Sequence, residues 1–130
     1  WSVPTALVVV RPSRYTHKFM ERFDNFTMTA FPPEYRADLI YLGSHSGRDE
    51  NKLAKTKLTP IAADLVSSPT FAEAELSVEC GKLYFTDYQP RHFLEPFIHE
   101  KYSGGDYHRL YYGEILRING IEKYRDSRPV

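Results

Sequence analysis

Period-two alternation constrains this chain most. Over residues 73–80, Ala74, Leu76, Val78 and Cys80 fall on one face, and Glu73, Glu75, Ser77 and Glu79 on the other. That is the pattern of a strand with one side toward a core and one toward water. The glutamates therefore read as a solvated face, not as paired catalytic carboxylates. Beyond Cys80 the apolar phase slips to Leu83 and Phe85 across Gly81, which predicts a bulge or bend. Residues 6–10 form a continuous apolar run and predict a strand buried on both faces. Residues 26–31 and 61–66 predict two more strands, and residues 108–118 a long one that includes Gly113.

Helical patterns are short by comparison. Tyr15, Phe19, Met20 and Phe23 recur at helical spacing, with Ser13 or Thr16 available as the cap. Pro33 suits the first turn of a helix carrying Tyr35, Leu39, Ile40 and Leu42. Residues 49–56 predict a short helix, and the Pro- and aromatic-rich connection 89–102 another. This many strands with short helices between them predicts a mainly β fold: a small β-barrel with interposed short helices, not a doubly wound sheet. The expected organisation is one domain over residues 1–118 and a charged tail over 119–130.

The charge is balanced, with 17 basic and 17 acidic residues, so nonspecific binding to nucleic acid or to an anionic membrane has no electrostatic basis. No apolar run approaches the ~20 residues that span a bilayer. Cys80 is the single cysteine; a disulfide framework is excluded and a cytoplasmic location expected. Its place on the apolar face argues against a nucleophilic role. The histidines lack ligand-like spacing, so no metal site is expected. No G-x-G-x-x-G motif follows a strand, and no G-x-S-x-G elbow is present.

Chemistry concentrates in three places. Gly43-Ser44-His45-Ser46-Gly47-Arg48-Asp49, followed by Glu50, Asn51 and Lys52, brings small hydroxyl residues, glycine and two cations to a loop expected to enter a helix. Backbone donors at such a turn, a bidentate Arg48 and a second charge on Lys52 read as a phosphate cradle. The plainer reading is a solvated charged turn, with His45 as a loop cap. Arg11 and Arg14 flank Pro12-Ser13 at the end of the first strand. They are either solvated turn residues or guanidinium groups offered to a flat, anionic cofactor. His108 shares a strand face with Leu110, Tyr112 and Glu114, as a structural histidine or a site residue.

In order along the chain come Val8-Val9-Val10-Arg11-Pro12-Ser13-Arg14-Tyr15-Thr16, Phe26-Thr27-Met28-Thr29, the Gly43–Asp49 loop with Lys52, residues 76–84, and Asp106-Tyr107-His108 through Gly113-Glu114-Ile115. Up to about Ile118 this succession resembles the flavin reductase-like family with the FMN-binding split barrel. The resemblance implies that Arg11, Pro12, Ser13, Arg14, Tyr15 and Thr16 line the flavin. It implies that Ser44, His45, Ser46, Gly47, Arg48 and Lys52 hold its phosphate end, and that His108 faces the flavin or the nicotinamide. The family usually places Asp directly before this histidine, whereas here Tyr107 stands between Asp106 and His108. It also carries a further N-terminal segment that contacts the flavin; the sequence begins at Trp1, so that segment is either outside it or missing from the site.

The function so implied is an FMN-dependent oxidoreductase, an NAD(P)H:flavin oxidoreductase passing electrons to an acceptor. It would have small-molecule nucleotide substrates and would be a homodimer. The alternatives are a non-catalytic FMN-binding or flavin-storage module, and a structural barrel whose aromatics are only core.

Overall fold

The computed structural model describes residues 1–102 and 104–125. Its centre is a four-stranded antiparallel sheet in the order β1-β6-β5-β2, made of β1 (Thr5–Val10), β2 (Asn25–Ala30), β5 (Leu76–Asp87) and β6 (Arg109–Gly120). Between them lie α1 (Tyr15–Arg22), α2 (Arg36–Ser44) and α3 (Phe97–Glu100), with single 3-10 turns. Two two-residue strands, β3 (Pro60–Ile61) and β4 (Thr70–Phe71), pair with each other.

The two 12-residue strands β5 and β6 form the spine. β1 pairs only with Arg109 to Glu114 of β6, and β2 only with Leu76 to Gly81 of β5. The six-residue edge strands therefore sit at opposite ends of the spine. Register shifts between Glu79 and Cys80 and between Lys82 and Tyr84 leave Leu116 and Leu83 as extra residues. Each such bulge adds right-handed twist, and the sheet curls into a half-barrel. The expected bulge is thus present, at Leu83 and not at Gly81, which keeps regular pairing with Asn25 and Glu114.

Curling brings Ala6, Phe26, Val78, Cys80 and Tyr111 together on the inner face, with Met20 of α1 laid against them. At Gly113 a Cβ would lie 2.8 Å from the Phe26 ring and 2.9 Å from the Cys80 Cβ. Only glycine fits this approach of ring to strand.

Three expectations need correction. β1 is an edge strand buried on one face: Ala6 is 7% exposed but Leu7 is 50% exposed. The 61–66 strand shrinks to Pro60–Ile61, because the following backbone turns to a side chain instead of a ladder. Asp64 and Leu65 donate their N–H groups to the Glu79 carboxylate at 3.0 and 2.7 Å. Glu79 is accordingly 1% exposed and not solvated. Alternation had correctly separated the two faces of β5; it carried no information about the 59–71 segment that covers the polar one. A carboxylate can be buried there because two backbone donors satisfy it.

β6 continues to Gly120, two residues past the expected domain boundary at 118. Of the expected tail, 126–130 lie outside the described residues, while Lys123 bonds back to Glu75. No helix among the described residues is long and apolar enough to cross a membrane.

Candidate functional site

Three segments meet beside the end of β1: the 11–14 turn with the first residues of α1, the 42–52 stretch that begins in the last turn of α2, and His108 at the entry to β6. They enclose a cleft of about 570 Å³, within the usual range for small-molecule sites. Arg11, Ser13, Arg14, Tyr15, Thr16, His45, Ser46, Gly47, Arg48, Lys52 and His108 all line it. Of the other expected site residues, Pro12 and Ser44 do not. Val9, Val10, Leu42 and Gly43 line it as well. Their signal was adjacency, since they directly precede the two charged turns.

Local geometry explains how the turns are held. Ser13 is not a helix cap: α1 is capped at Arg14 without a side-chain bond. The Ser13 N–H donates to Asp106 Oδ1 at 3.0 Å, and its hydroxyl donates to Asp106 Oδ2. Burial opposes the Asp106 charge, but the Ser13 donors, Arg11 and His108 bring its carboxyl below the usual value. Arg48 Nη1 then reaches across to donate to Ser13 O at 2.7 Å, with its guanidinium 5.3 Å from the centre of the Tyr15 ring. The two expected halves of the site are therefore joined by a hydrogen bond.

The Gly43–Asp49 motif differs from its expected setting. Gly43 and Ser44 close the last turn of α2, so the loop leaves a helix C-terminus and does not enter an N-terminus. That end needs donors. Lys52 Nζ supplies them, to Leu42 O at 2.5 Å and His45 O at 3.1 Å. Ser44 Oγ folds back onto Ile40 O at 2.8 Å, and His45 stacks on Tyr41 with ring centres 4.0 Å apart. The space that Gly47 leaves is taken by Tyr15, whose ring carbon would lie 3.0 Å from an added Cβ. The helix expected over 49–56 is one 3-10 turn, Lys52–Lys55.

Arg11 Nη2 donates to Lys101 O at 3.0 Å, and its guanidinium lies 4.9 Å from the Tyr102 ring centre. Tyr102 in turn contacts His108, whose Nδ1 is 2.6 Å from the phenol oxygen. Burial first, then Arg11 and Arg14, lower the His108 pKa against the opposing pull of Asp106. The unfolded chain, with a histidine near its ordinary value of about 6.5, then binds the proton more readily than the folded one. Stability must fall as pH drops below that value and level off once the folded-state pKa is passed. Urea midpoints at pH 7.5 and 5.5 should show this loss, and His108→Gln should reduce it; an unchanged loss in the variant would contradict the assignment.

The electrostatic character of the cleft is one-sided. Arg11, Arg14, Arg48 and Lys52 line it, and no Asp or Glu does, in a chain with no formal net charge. Bonds to carbonyl oxygens orient Arg11, Arg48 and Lys52 without neutralising them. A concave, positively lined site concentrates anions. Among the described residues no group of three or more His, Cys, Asp and Glu is placed to hold a metal ion.

Comparison with known proteins agrees with this architecture. A protein of Archaeoglobus fulgidus is 27% identical over 135 residues, covering 99% of this chain and 67% of its own length. Flavoredoxin of Desulfovibrio vulgaris superposes with a TM-score of 0.70 at 21% identity, covering 95% of this chain and 57% of that one. The FMN-binding protein from Thermus thermophilus, with bound p-hydroxybenzaldehyde, gives 0.71 at 22% identity, covering 94% and 59%. The chain thus spans under two thirds of the length of these solved structures, which share its split-barrel fold. The family described as "Flavin reductase like domain" matches residues 2–129, and the chain belongs to it.

Proposed function

We propose that this chain is an FMN-dependent oxidoreductase that takes reducing equivalents from NADH or NADPH. The observation that carries the reading is the acid-free cleft lined by Arg11, Arg14, Arg48 and Lys52. It suits the donor set to a phosphate monoester, while Tyr15, Val9 and Val10 offer apolar surface to a flat ring. The FMN-binding protein among the structural neighbours supports the choice of flavin.

Bound flavin supplies hydride acceptance and onward electron transfer. The chain's own residues bind and orient. Arg48 and Arg14 bring charge to the phosphate end, and Ser46 and Thr16 bring hydroxyl donors. Asp106 keeps the 11–14 turn in place through Ser13. His108 presents a ring nitrogen to the reacting side.

A homodimer is part of the proposal. Leu7 and Val9, 50% and 45% exposed on the outer face of β1, supply apolar surface for a second copy. A cytoplasmic setting fits the lone, buried Cys80.

The test is an FMN titration of the purified protein by fluorescence quenching, followed by anaerobic addition of NADH or NADPH. Saturable binding and bleaching of the flavin band are expected, with sedimentation at twice the 15.1 kDa chain mass. Binding without bleaching would favour the non-catalytic storage module. Absence of binding would overturn the flavin reading.

A further inference from the structure

His108 has a partner that its sequence neighbours do not announce. The Asp106 carboxylate, two positions before it, gives both oxygens to Ser13. The His108 Nδ1 lies instead 2.6 Å from the Tyr102 hydroxyl. That separation suits an O–H donor better than an N–H donor, whose bonds centre on about 2.9–3.0 Å.

The surroundings give the same sense. Arg11 and Arg14 on the 11–14 turn, with burial, oppose a second proton on the ring, and Asp106 only partly offsets them. Tyr88, just after β5, meets the ring edge-on at 6.4 Å and brings no charge. Burial, the main influence on Tyr102, keeps its phenol protonated. A neutral imidazole that accepts at Nδ1 carries its proton on Nε2.

Tyr102 is itself firmly placed. Its ring stacks on Tyr107 with centres 4.6 Å apart and on Phe93 at 6.0 Å. Arg11 covers it and ties down the adjacent Lys101 carbonyl. One arginine thus lines the cleft and fixes the partner of the cleft histidine.

We propose that Tyr102 is a positioning residue: its hydroxyl donates to His108 Nδ1, locks the imidazole in the Nε2–H form, and makes His108 a hydrogen-bond donor toward an acceptor atom of the bound molecule. Carbonyl oxygens or unprotonated ring nitrogens are the complementary chemistry. The inference rests on the flavin reading only for the identity of that acceptor.

Ligand-free protein labelled with 15N-histidine tests it through two-bond 1H–15N correlation at pH 8, with the His108 signals identified by their loss in His108→Gln. The expected spectrum shows His108 protonated at Nε2 alone. In Tyr102→Phe, both His108 nitrogens should move toward averaged values while the other four histidines keep their shifts. The FMN Kd of that variant should rise about two- to tenfold, the worth of one ordinary hydrogen bond. A wild-type Nδ1–H form overturns the proposal, and so do unchanged His108 shifts in Tyr102→Phe. The wild-type spectrum decides the donor sense even if the variant does not fold. An Nε2–H form in a protein that binds no FMN upholds the positioning and removes the flavin reading instead.

Discussion

Tyr111→Ala should lower the unfolding free energy by about 3–5 kcal/mol, the range for removing a buried large aromatic side chain. For a domain of this size the thermal midpoint should fall by roughly 10–20 °C. Tyr111 is 1% exposed on β6 and shares the core with Ala6, Met20, Phe26, Val78 and Cys80. Its truncation empties the junction of β1, β5, β6 and α1. Part of the loss is polar. Its hydroxyl donates to Glu21 Oε1 at 2.5 Å, and Arg109 Nη1 donates to the other oxygen at 3.0 Å. Arg109 also grips Asp87 through Nε and Nη2 at 2.7 and 2.8 Å. The bond from Tyr111 is the main reason that the Glu21 carboxyl lies below its ordinary value. Burial, and then Glu21, raise the phenol pKa. Tyr111→Phe separates the contributions. It should cost only about 1 kcal/mol, because Glu21 is two-fifths exposed and keeps Arg109. The sign with pH follows. A lowered carboxyl stabilises the fold above its unfolded pKa, and that stability is lost as pH falls through the folded one. Acid should therefore narrow the gap between wild type and Tyr111→Phe. Urea denaturation at neutral pH reads both variants. A Tyr111→Ala protein within 1 kcal/mol of wild type would contradict this core.

The strands were legible because their side-chain period is two and their breakers are proline and glycine. Residues 76–80 of β5 and the start of β2 needed nothing more. What periodicity withholds is the identity of the layer over each face. Glu79 reads as solvated until the 59–71 segment lays two N–H groups on it. Leu7 reads as buried until β1 proves to be an edge with one covered side. The site divides in the same way. Its charged turns stood out by composition, and the structure brings both to one cleft. Their orientation was less visible. Gly43 follows a helical pattern and is equally a C-terminal signal; with that reading, Lys52 becomes a donor to helix carbonyls. The contacts of Asp106 and Tyr102 escaped because they depend on the fold. Asp106 meets Ser13 across 93 positions of sequence. The Tyr102 contact spans only six, but across an irregular segment with no period to reveal it.

That geometry decides which cation to remove when the cleft itself is tested. Lys52→Ala would strip the donors from the Leu42 and His45 carbonyls, so lost stability would obscure any lost affinity. Arg48 is the better choice. It is exposed, and its guanidinium reaches one backbone carbonyl and the Tyr15 face. Arg48→Ala should leave the urea midpoint near wild type. Its FMN Kd should rise about 10- to 150-fold, equivalent to the 1.5–3 kcal/mol of a hydrogen bond to a charged group. Arg48→Lys should recover part of that, since it restores the charge without the planar fork. Added salt should weaken FMN binding more in wild type than in Arg48→Ala, because screening acts on the charge that the variant no longer has. Riboflavin, which has no phosphate, supplies the control. Its affinity should change little between wild type and Arg48→Ala if the guanidinium meets the phosphate. Equal losses for FMN and riboflavin would show instead that Arg48 acts through Ser13 and Tyr15 on the ring-binding side. An unchanged FMN Kd would take Arg48 out of the site altogether.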